Sequence, residues 1–202
     1  MVRVIIFDID GVVNTYTPAG YRQYLADKSG LSFDITKKLV QPYIDKLVLN
    51  ELTLDEFEYR VANELKIDKK DVRWIEYYKT FTLNPDVERI IEQLIKKGYK
   101  IAFFTNTDRS RYYLTIAHLS KFSDMIFAAS YIGLSKPDKK AYEYVVNEIN
   151  KKLTKKVAYG EIVFIDDSEI NVEAAKALGM HGILFRNASE LNKEITEILK
   201  IR

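Results

Sequence analysis

Two aspartates with one residue between them, Asp8 and Asp10, end the apolar run Val2 to Phe7 and are followed at once by Gly11. That run is rich in β-branched residues and reads as a buried strand. Residues i and i+2 of a strand project to the same side. If that geometry persists at the strand's end, two carboxylates converge on one small volume. Like charges so placed repel and raise a pKa unless a cation or hydrogen-bond donors compensate. The same spacing also fits a polar strand end leading into a turn. Three later segments bear on the choice: Thr105-Asn106, Ser135-Lys136-Pro137-Asp138 and Asp166-Asp167-Ser168. Each has its ordinary structural reading, as a helix cap, a solvated helix start and an N-cap respectively. Four such features, each at the carboxyl end of an expected strand, are a rarer coincidence than any one of them.

The elements that must carry these residues follow from periodicity and capping. Thr17-Pro18 opens a helix to about Asp27, with Thr as N-cap and Pro at the first helical position. A second helix is expected over Thr36 to Leu49, where Pro42 suggests a break or a later start. Thr53 to Glu56 has the capping-box pattern and opens a helix to Leu65. Asp71 to Phe81 reads as an aromatic-rich helix. Residues 15–82 are therefore expected to be wholly helical. From Asn84 strands and helices alternate. Helices are expected over Asn84–Lys97, Arg109–Leu119, Asp138–Lys152, Ile170–Leu178 and Ser189–Leu199. Strands are expected over Lys100–Thr105, Met125–Ala129, Glu161–Ile165 and Gly182–Phe185. Alternation at these lengths implies right-handed βαβ units, hence an α/β, Rossmann-like parallel sheet with helices on both faces. Ligands of such sheets bind beyond the carboxyl ends of the strands, where the polar segments lie. The expected division is an α/β core of residues 1–14 and 83–202, with an all-helical cap of residues 15–82 inserted after the first strand.

Composition bounds the partners. The chain has 202 residues, 47% of them hydrophobic, enough for a substantial core. Its 31 basic and 29 acidic residues leave a formal net charge of +2, which gives no argument for nucleic-acid binding. The absence of cysteine excludes disulfides and thiolate metal sites. His118 and His181 are too few, and too far from the polar segments, for a zinc site. Met1 to Phe7 is too short for an apolar leader and no stretch reaches the length of a membrane span, so a soluble, cytoplasmic protein is expected. Oligomeric state is not readable.

The ordered segments resemble the motifs of the haloacid dehalogenase-like hydrolases of the type with a helical cap after the first motif. Asp8-Ile9-Asp10-Gly11-Val12 matches the first motif, Thr105 in Phe104-Thr105-Asn106 the second, Lys136 the third, and Ile165 to Val172 the fourth. The chain is similar in these motifs to sugar-phosphate phosphatases and to the phosphatase domain of soluble epoxide hydrolase. The resemblance implies a Mg2+-dependent phosphatase acting on a small phosphorylated metabolite, of the sugar phosphate or nucleotide monophosphate class. Asp8 would be the nucleophile, forming an aspartyl-phosphate, and Asp10 the general acid and base. Asp8, the carbonyl of Asp10 and Asp167 would bind the metal, with Asp166 acting through waters and Asn171 supporting the same shell. Thr105 and the amide of Asn106 would hold phosphoryl oxygens, and Lys136 would neutralise charge on Asp8 and the phosphoryl group. The presence of Asp10 disfavours dehalogenation. Phosphomutase-type transfer uses the same residues, and a cap-borne Schiff-base lysine, as in phosphonate hydrolases, is not singled out by any residue. A non-enzymatic relative binding phosphate-bearing ligands is the alternative from another class, although every motif residue is present. Asn14 is a candidate substrate contact. The cap aromatics Tyr16, Tyr21, Tyr24, Tyr43, Phe57, Tyr59, Trp74, Tyr77 and Tyr78 are expected mainly to pack a core, some of them lining a substrate pocket.

Overall fold

A computed structural model describes residues 1–15, 18–79 and 82–200. β1 (Val4–Phe7) lies at the centre of a five-stranded sheet. β2 (Lys100–Thr105) and β3 (Ile126–Ala128) lie on one side of it, and β4 (Ile162–Asp166) and β5 (His181–Leu184) on the other. Every pairing is parallel. Successive strand residues face opposite layers, as the period of two requires. Ile5, Phe7, Ile101, Phe103, Val163 and Ile165 join one apolar cluster, with α5 (Pro85–Lys96) and α10 (Ala188–Leu199) supplying Ile91, Leu94, Leu191 and Ile195. Val4, Ile6, Ala102, Phe104, Ile162 and Phe164 join another, with α8 (Lys139–Lys152) and α9 (Glu169–Ala177) supplying Tyr142, Val145, Ile149 and Ala175. The chain is thus an α/β fold with a parallel sheet between helical layers.

Between β1 and α5 the described residues form α1 (Pro18–Ser29), α2 (Phe33–Val48), α3 (Leu54–Leu65), a 3-10 turn at Lys69–Asp71 and α4 (Trp74–Tyr78). These helices bury Tyr21, Leu25, Val40, Phe57, Val61 and Trp74 in a cluster of their own. Ala129 joins it from α7 (Ala129–Ile132), a short helix after β3. The sequence signals hold at α3, where Thr53 and Glu56 form the reciprocal capping box. The expectation at Pro42 is overturned. α2 is unbroken and starts three residues before Thr36, with Ser32 Oγ accepting from the Ile35 amide. Pro42 is on the exposed face of α2, where the carbonyl it leaves unbonded meets water rather than the core. The expected helix over 71–81 is instead the 3-10 turn and the five-residue α4, parted at Arg73 by a left-handed backbone (φ 45°) that cannot continue a helical ladder. The N-cap at Thr17, the aromatic Tyr16 and the helix end at Phe81 lie outside the described residues.

The segments leading into and out of the helical block run side by side. The Thr15 amide donates to the Thr82 carbonyl at 3.1 Å, and the Asn84 amide to the Val13 carbonyl at 2.8 Å. No helix of the described residues is long and apolar enough to cross a membrane.

Phe164 is fully buried and meets Tyr142 edge to face at 5.3 Å. Phe164→Ala is therefore expected to lower unfolding stability by about 3–5 kcal/mol, read as a shift of the urea midpoint.

Candidate active site

The sheet register sets the strand ends next to one another. Phe7 of β1 pairs with Phe103 of β2 and Ile165 of β4, so Asp8 emerges beside Phe104 and Asp166. The Asp8 amide donates to the Ile165 carbonyl at 2.8 Å, which carries the sheet pattern one residue past the strand. Lys136 reaches this point from the loop between α7 and α8. Its backbone is gripped by the Asn106 side chain, whose Nδ2 donates to the Lys136 carbonyl at 2.8 Å and whose Oδ1 accepts from the Lys136 amide at 2.9 Å. Lys136 Nζ then donates to Asp8 Oδ1 at 2.7 Å, Asp166 Oδ2 at 2.6 Å and the Phe104 carbonyl at 2.9 Å. All three ammonium hydrogens are used. Burial by itself would lower the Lys136 pKa, but the charges of Asp166 and Asp8 outweigh it and hold the ammonium protonated. Two buried carboxylates share that one cation. Burial first, and then the charge of Asp166, push the Asp8 carboxyl well above the usual range despite Lys136.

Asp166 is wholly buried, and its other oxygen accepts from the Ser168 amide at 2.9 Å and Asn171 Nδ2 at 3.0 Å. Its observed partners are protein groups, so its first contribution is to orient Lys136. Asp167, the next residue, is exposed and points the other way along the strand end, into the cavity. Partial enclosure of its carboxyl in the cavity, followed by the Asp166 charge, raises its pKa to about 6. Asp8, Asp166 and Asp167 each offer one oxygen within 4.8 Å of the others. A cluster of carboxyl oxygens with more negative than positive charge suits a hard divalent cation such as Mg2+. Gly11 is what admits Asp167: with φ at 84°, a Cβ built on it would lie 2.2 Å from Asp167 Oδ2.

Asp10 occupies different surroundings from Asp8. The turn after β1 folds back on the Ile9 carbonyl, which accepts from the Val13 amide at 2.9 Å and the Asn14 amide at 2.8 Å. Asn14 Nδ2 donates to Asp10 Oδ1 at 3.2 Å, and Asn14 Oδ1 accepts from the Thr82 amide at 3.4 Å. Asn14 is buried and does not line the cavity. The expectation that it touches substrate gives way to a positioning contact on Asp10. The other Asp10 oxygen meets Arg111 Nη2 at 2.5 Å. Arg111 comes from the first turn of α6 (Arg109–Leu119), whose N-cap is Asp108. Its guanidinium lies 3.6 Å from the centre of the Tyr78 ring of α4. Trp74 of α4 donates its indole N–H to Asp108 Oδ2 at 2.9 Å. The helical block is thereby tied to the strand ends through two aromatic residues.

A cavity of about 430 Å³ opens between the strand ends and the helical block. Asp8, Asp10, Thr105, Asn106, Lys136, Asp167 and Asn171, named from sequence as site residues, all line it. Asp166 stands behind them. Trp74 and Tyr78 line it from the helical side and also belong to the helical block's core, whereas Tyr59 is exposed. His118 and His181 are exposed, and His181 Nε2 lies 3.1 Å from the Gly160 carbonyl, away from the cavity. The sequence reading missed Arg111 and Arg22, both of which line the cavity. For Arg111 a signal existed: a cation in the first turn of a helix opposes the helix dipole and needs a carboxylate from elsewhere.

Arg111→Met is expected to cost about 3–5 kcal/mol in a urea titration, because it leaves the Asp10 carboxylate buried without its cation. Gly11→Ala is expected to lower stability by at least about 1 kcal/mol, since φ is strained for alanine and the Asp167 carboxylate must move. An unchanged midpoint for Gly11→Ala would show that the turn can relax.

A profile of the haloacid dehalogenase-like hydrolases matches residues 2–179. A curated phosphatase of Mycobacterium tuberculosis is 23% identical over 172 residues, which are 80% of this chain and 79% of that protein. A HAD family enzyme of Bacteroides thetaiotaomicron, solved in complex with magnesium and inorganic phosphate, superposes with a TM-score of 0.71. It is 14% identical, with 95% of this chain and 99% of that chain covered. A predicted HAD-like hydrolase of Porphyromonas gingivalis gives a TM-score of 0.72 at 20% identity, with 100% of both chains covered.

Proposed function

The chain belongs to the haloacid dehalogenase-like hydrolases, and from that premise we propose that it is a Mg2+-dependent phosphomonoesterase acting on a small phosphorylated metabolite. The observation that carries the reading is the Lys136 ammonium bridging Asp8 and Asp166 at one edge of a cavity that Asp167 and Thr105 also line. It combines an anionic nucleophile, a fixed cation and room for a hard metal, which are the parts phosphoryl transfer needs. The M. tuberculosis relative described as a phosphatase, and the bound magnesium and phosphate in the B. thetaiotaomicron enzyme, support it.

In the proposed reaction an Asp8 oxygen attacks phosphorus, the bond to the ester oxygen breaks, and an aspartyl-phosphate forms on Asp8. The leaving oxygen takes a proton from the carboxylic acid of Asp10. Water then attacks the phosphorus of the intermediate and gives its proton to Asp10, releasing inorganic phosphate and restoring both carboxyl groups. Asn14 and Arg111 hold Asp10 by one oxygen each, which fixes its place for both transfers, and the Arg111 charge favours the carboxylate, the form that takes the proton from water. Lys136 offsets charge on the transferring group, and Thr105 and Asn106 receive its oxygens. Mg2+ held by Asp8, the Asp10 carbonyl and Asp167 would supply further charge neutralisation. The reading includes the division into a core of 1–14 and 83–202 and a cap of 15–82 that covers the site and keeps water out. The separate apolar cluster of the helical block and its paired connecting segments support that division.

Purified protein with Mg2+ is expected to hydrolyse p-nitrophenyl phosphate, and EDTA to abolish the activity. A panel of sugar phosphates, nucleoside monophosphates and phosphorylated acids then tests the substrate, and no phosphate release from any of them would sink the enzyme reading. Asp8→Asn is expected to remove turnover with the circular dichroism unchanged. Asp10→Asn is expected to lower kcat by about 10²–10⁴-fold.

A further inference from the structure

α1 contributes a cation to the cavity that, among the described residues, has no anionic partner. Three basic side chains line it: Lys136, Arg111 and Arg22. Lys136 is matched by Asp8 and Asp166, and Arg111 by Asp10. Among the described residues no carboxylate lies within ion-pair distance of Arg22. Its Nη2 donates to Oε1 of Gln41, a neutral acceptor, and its Nε is buried with no hydrogen-bond partner. Gln41 in turn spends its amide on Asp45 Oδ1 at 2.6 Å, one turn along α2. The one acid nearby is thus held at a remove, with a glutamine between it and the guanidinium. A buried N–H left unbonded is costly, more so on a charged group. Burial accordingly pulls the Arg22 pKa down, against the weaker opposing influence of Tyr78 and Asp45. The remaining lining from these helices is Ala19, Ile44 and Val48, small or apolar and without further hydroxyl readers.

We propose that Arg22 recognises a second anionic group, a carboxylate or a second phosphate, on the leaving group of the substrate. The guanidinium lines the cavity with no carboxylate of its own and suits a charge-assisted contact with such a group, while the phosphoryl group sits at Lys136 and Thr105. The assignment rests on the phosphomonoesterase reading and narrows it: short phosphorylated hydroxyacids or short bisphosphates are preferred over neutral sugar phosphates. Arg22 discriminates among esters and takes no part in the bond-breaking step.

A matched three-carbon series tests this with Mg2+ present: propyl phosphate, 3-phosphonooxypropanoate, propane-1,3-diol bisphosphate and 3-aminopropyl phosphate. The expected result is a kcat/KM at least about tenfold higher for the carboxylate or the bisphosphate than for propyl phosphate, with the two anionic esters telling the two sources apart. In Arg22→Gln that ratio should fall to near one, and Arg22→Lys should restore part of it. Equal rates across the series, a preference for the amine, or a ratio that survives Arg22→Gln would each overturn the assignment and leave the phosphatase reading standing. If the wild type turns over none of the esters, the phosphatase reading fails instead. Calorimetric binding of the same four compounds then decides the assignment: tighter binding of an anionic ester that Arg22→Gln removes sustains it, and equal binding defeats it.

Discussion

Lys136 is the constraint on which the rest of the site depends. Its ammonium is buried against Asp8, Asp166 and the Phe104 carbonyl, three acceptors from three different strand ends. Burying an ammonium without partners is costly enough that the group would neutralise instead. It stays charged here because the parallel register brings those strand ends level. The reverse also holds: β1 and β4 can end in carboxylates next to one another only because a cation arrives between them. Asn106 fixes the backbone of Lys136 from β2's end, so the loop carrying the cation is as well determined as the sheet.

The same economy separates the two aspartates that differ by one residue. Asp8 shares its cation with Asp166 and lies next to Asp167, so negative charge is in excess and a divalent metal would relieve it. Asp10 has an arginine to itself together with the Asn14 amide. One carboxylate is therefore left with excess negative charge around it, and the other with a matched cation. The distinction comes from neighbours rather than from the motif, because both residues are aspartates in one short turn.

The helical block is joined to this chemistry through α4. Trp74 bonds the N-cap of α6, and Tyr78 stacks on the arginine that pairs with Asp10. A shift of α4 relative to the sheet would disturb the partner of Asp10 directly, so the position of the block and the surroundings of Asp10 are linked. α1 and α2 meanwhile bring Arg22, Gln41 and Asp45 to the same cavity. The strand ends and the helices between β1 and α5 thus line the same cavity from opposite sides.

Local signals in the chain determined a good deal. Alternating apolar runs and caps marked all five strands, and the capping box at Thr53 marked the start of α3, because these depend on residues a few positions apart. The carboxylates, Thr105 and Asn106 were legible since each sits at or just past the end of a strand that the pattern marks, whereas Lys136, in the loop after α7, was legible from its motif. Local rules failed where packing overruled them. Pro42 should break a helix, yet it sits on the solvent side of α2, where a lost hydrogen bond is replaced by water. The aromatic run after Asp71 has helical spacing, but Arg73 adopts a left-handed backbone and divides it. The pairing of Arg111 with Asp10 joins residues 101 positions apart, and the isolation of Arg22 depends on how α1 and α2 lie over the strand ends. Charges at that separation in sequence acquire partners, or lack them, only when the tertiary fold sets the distances, because Coulomb energy and desolvation depend on position in space and not on order along the chain.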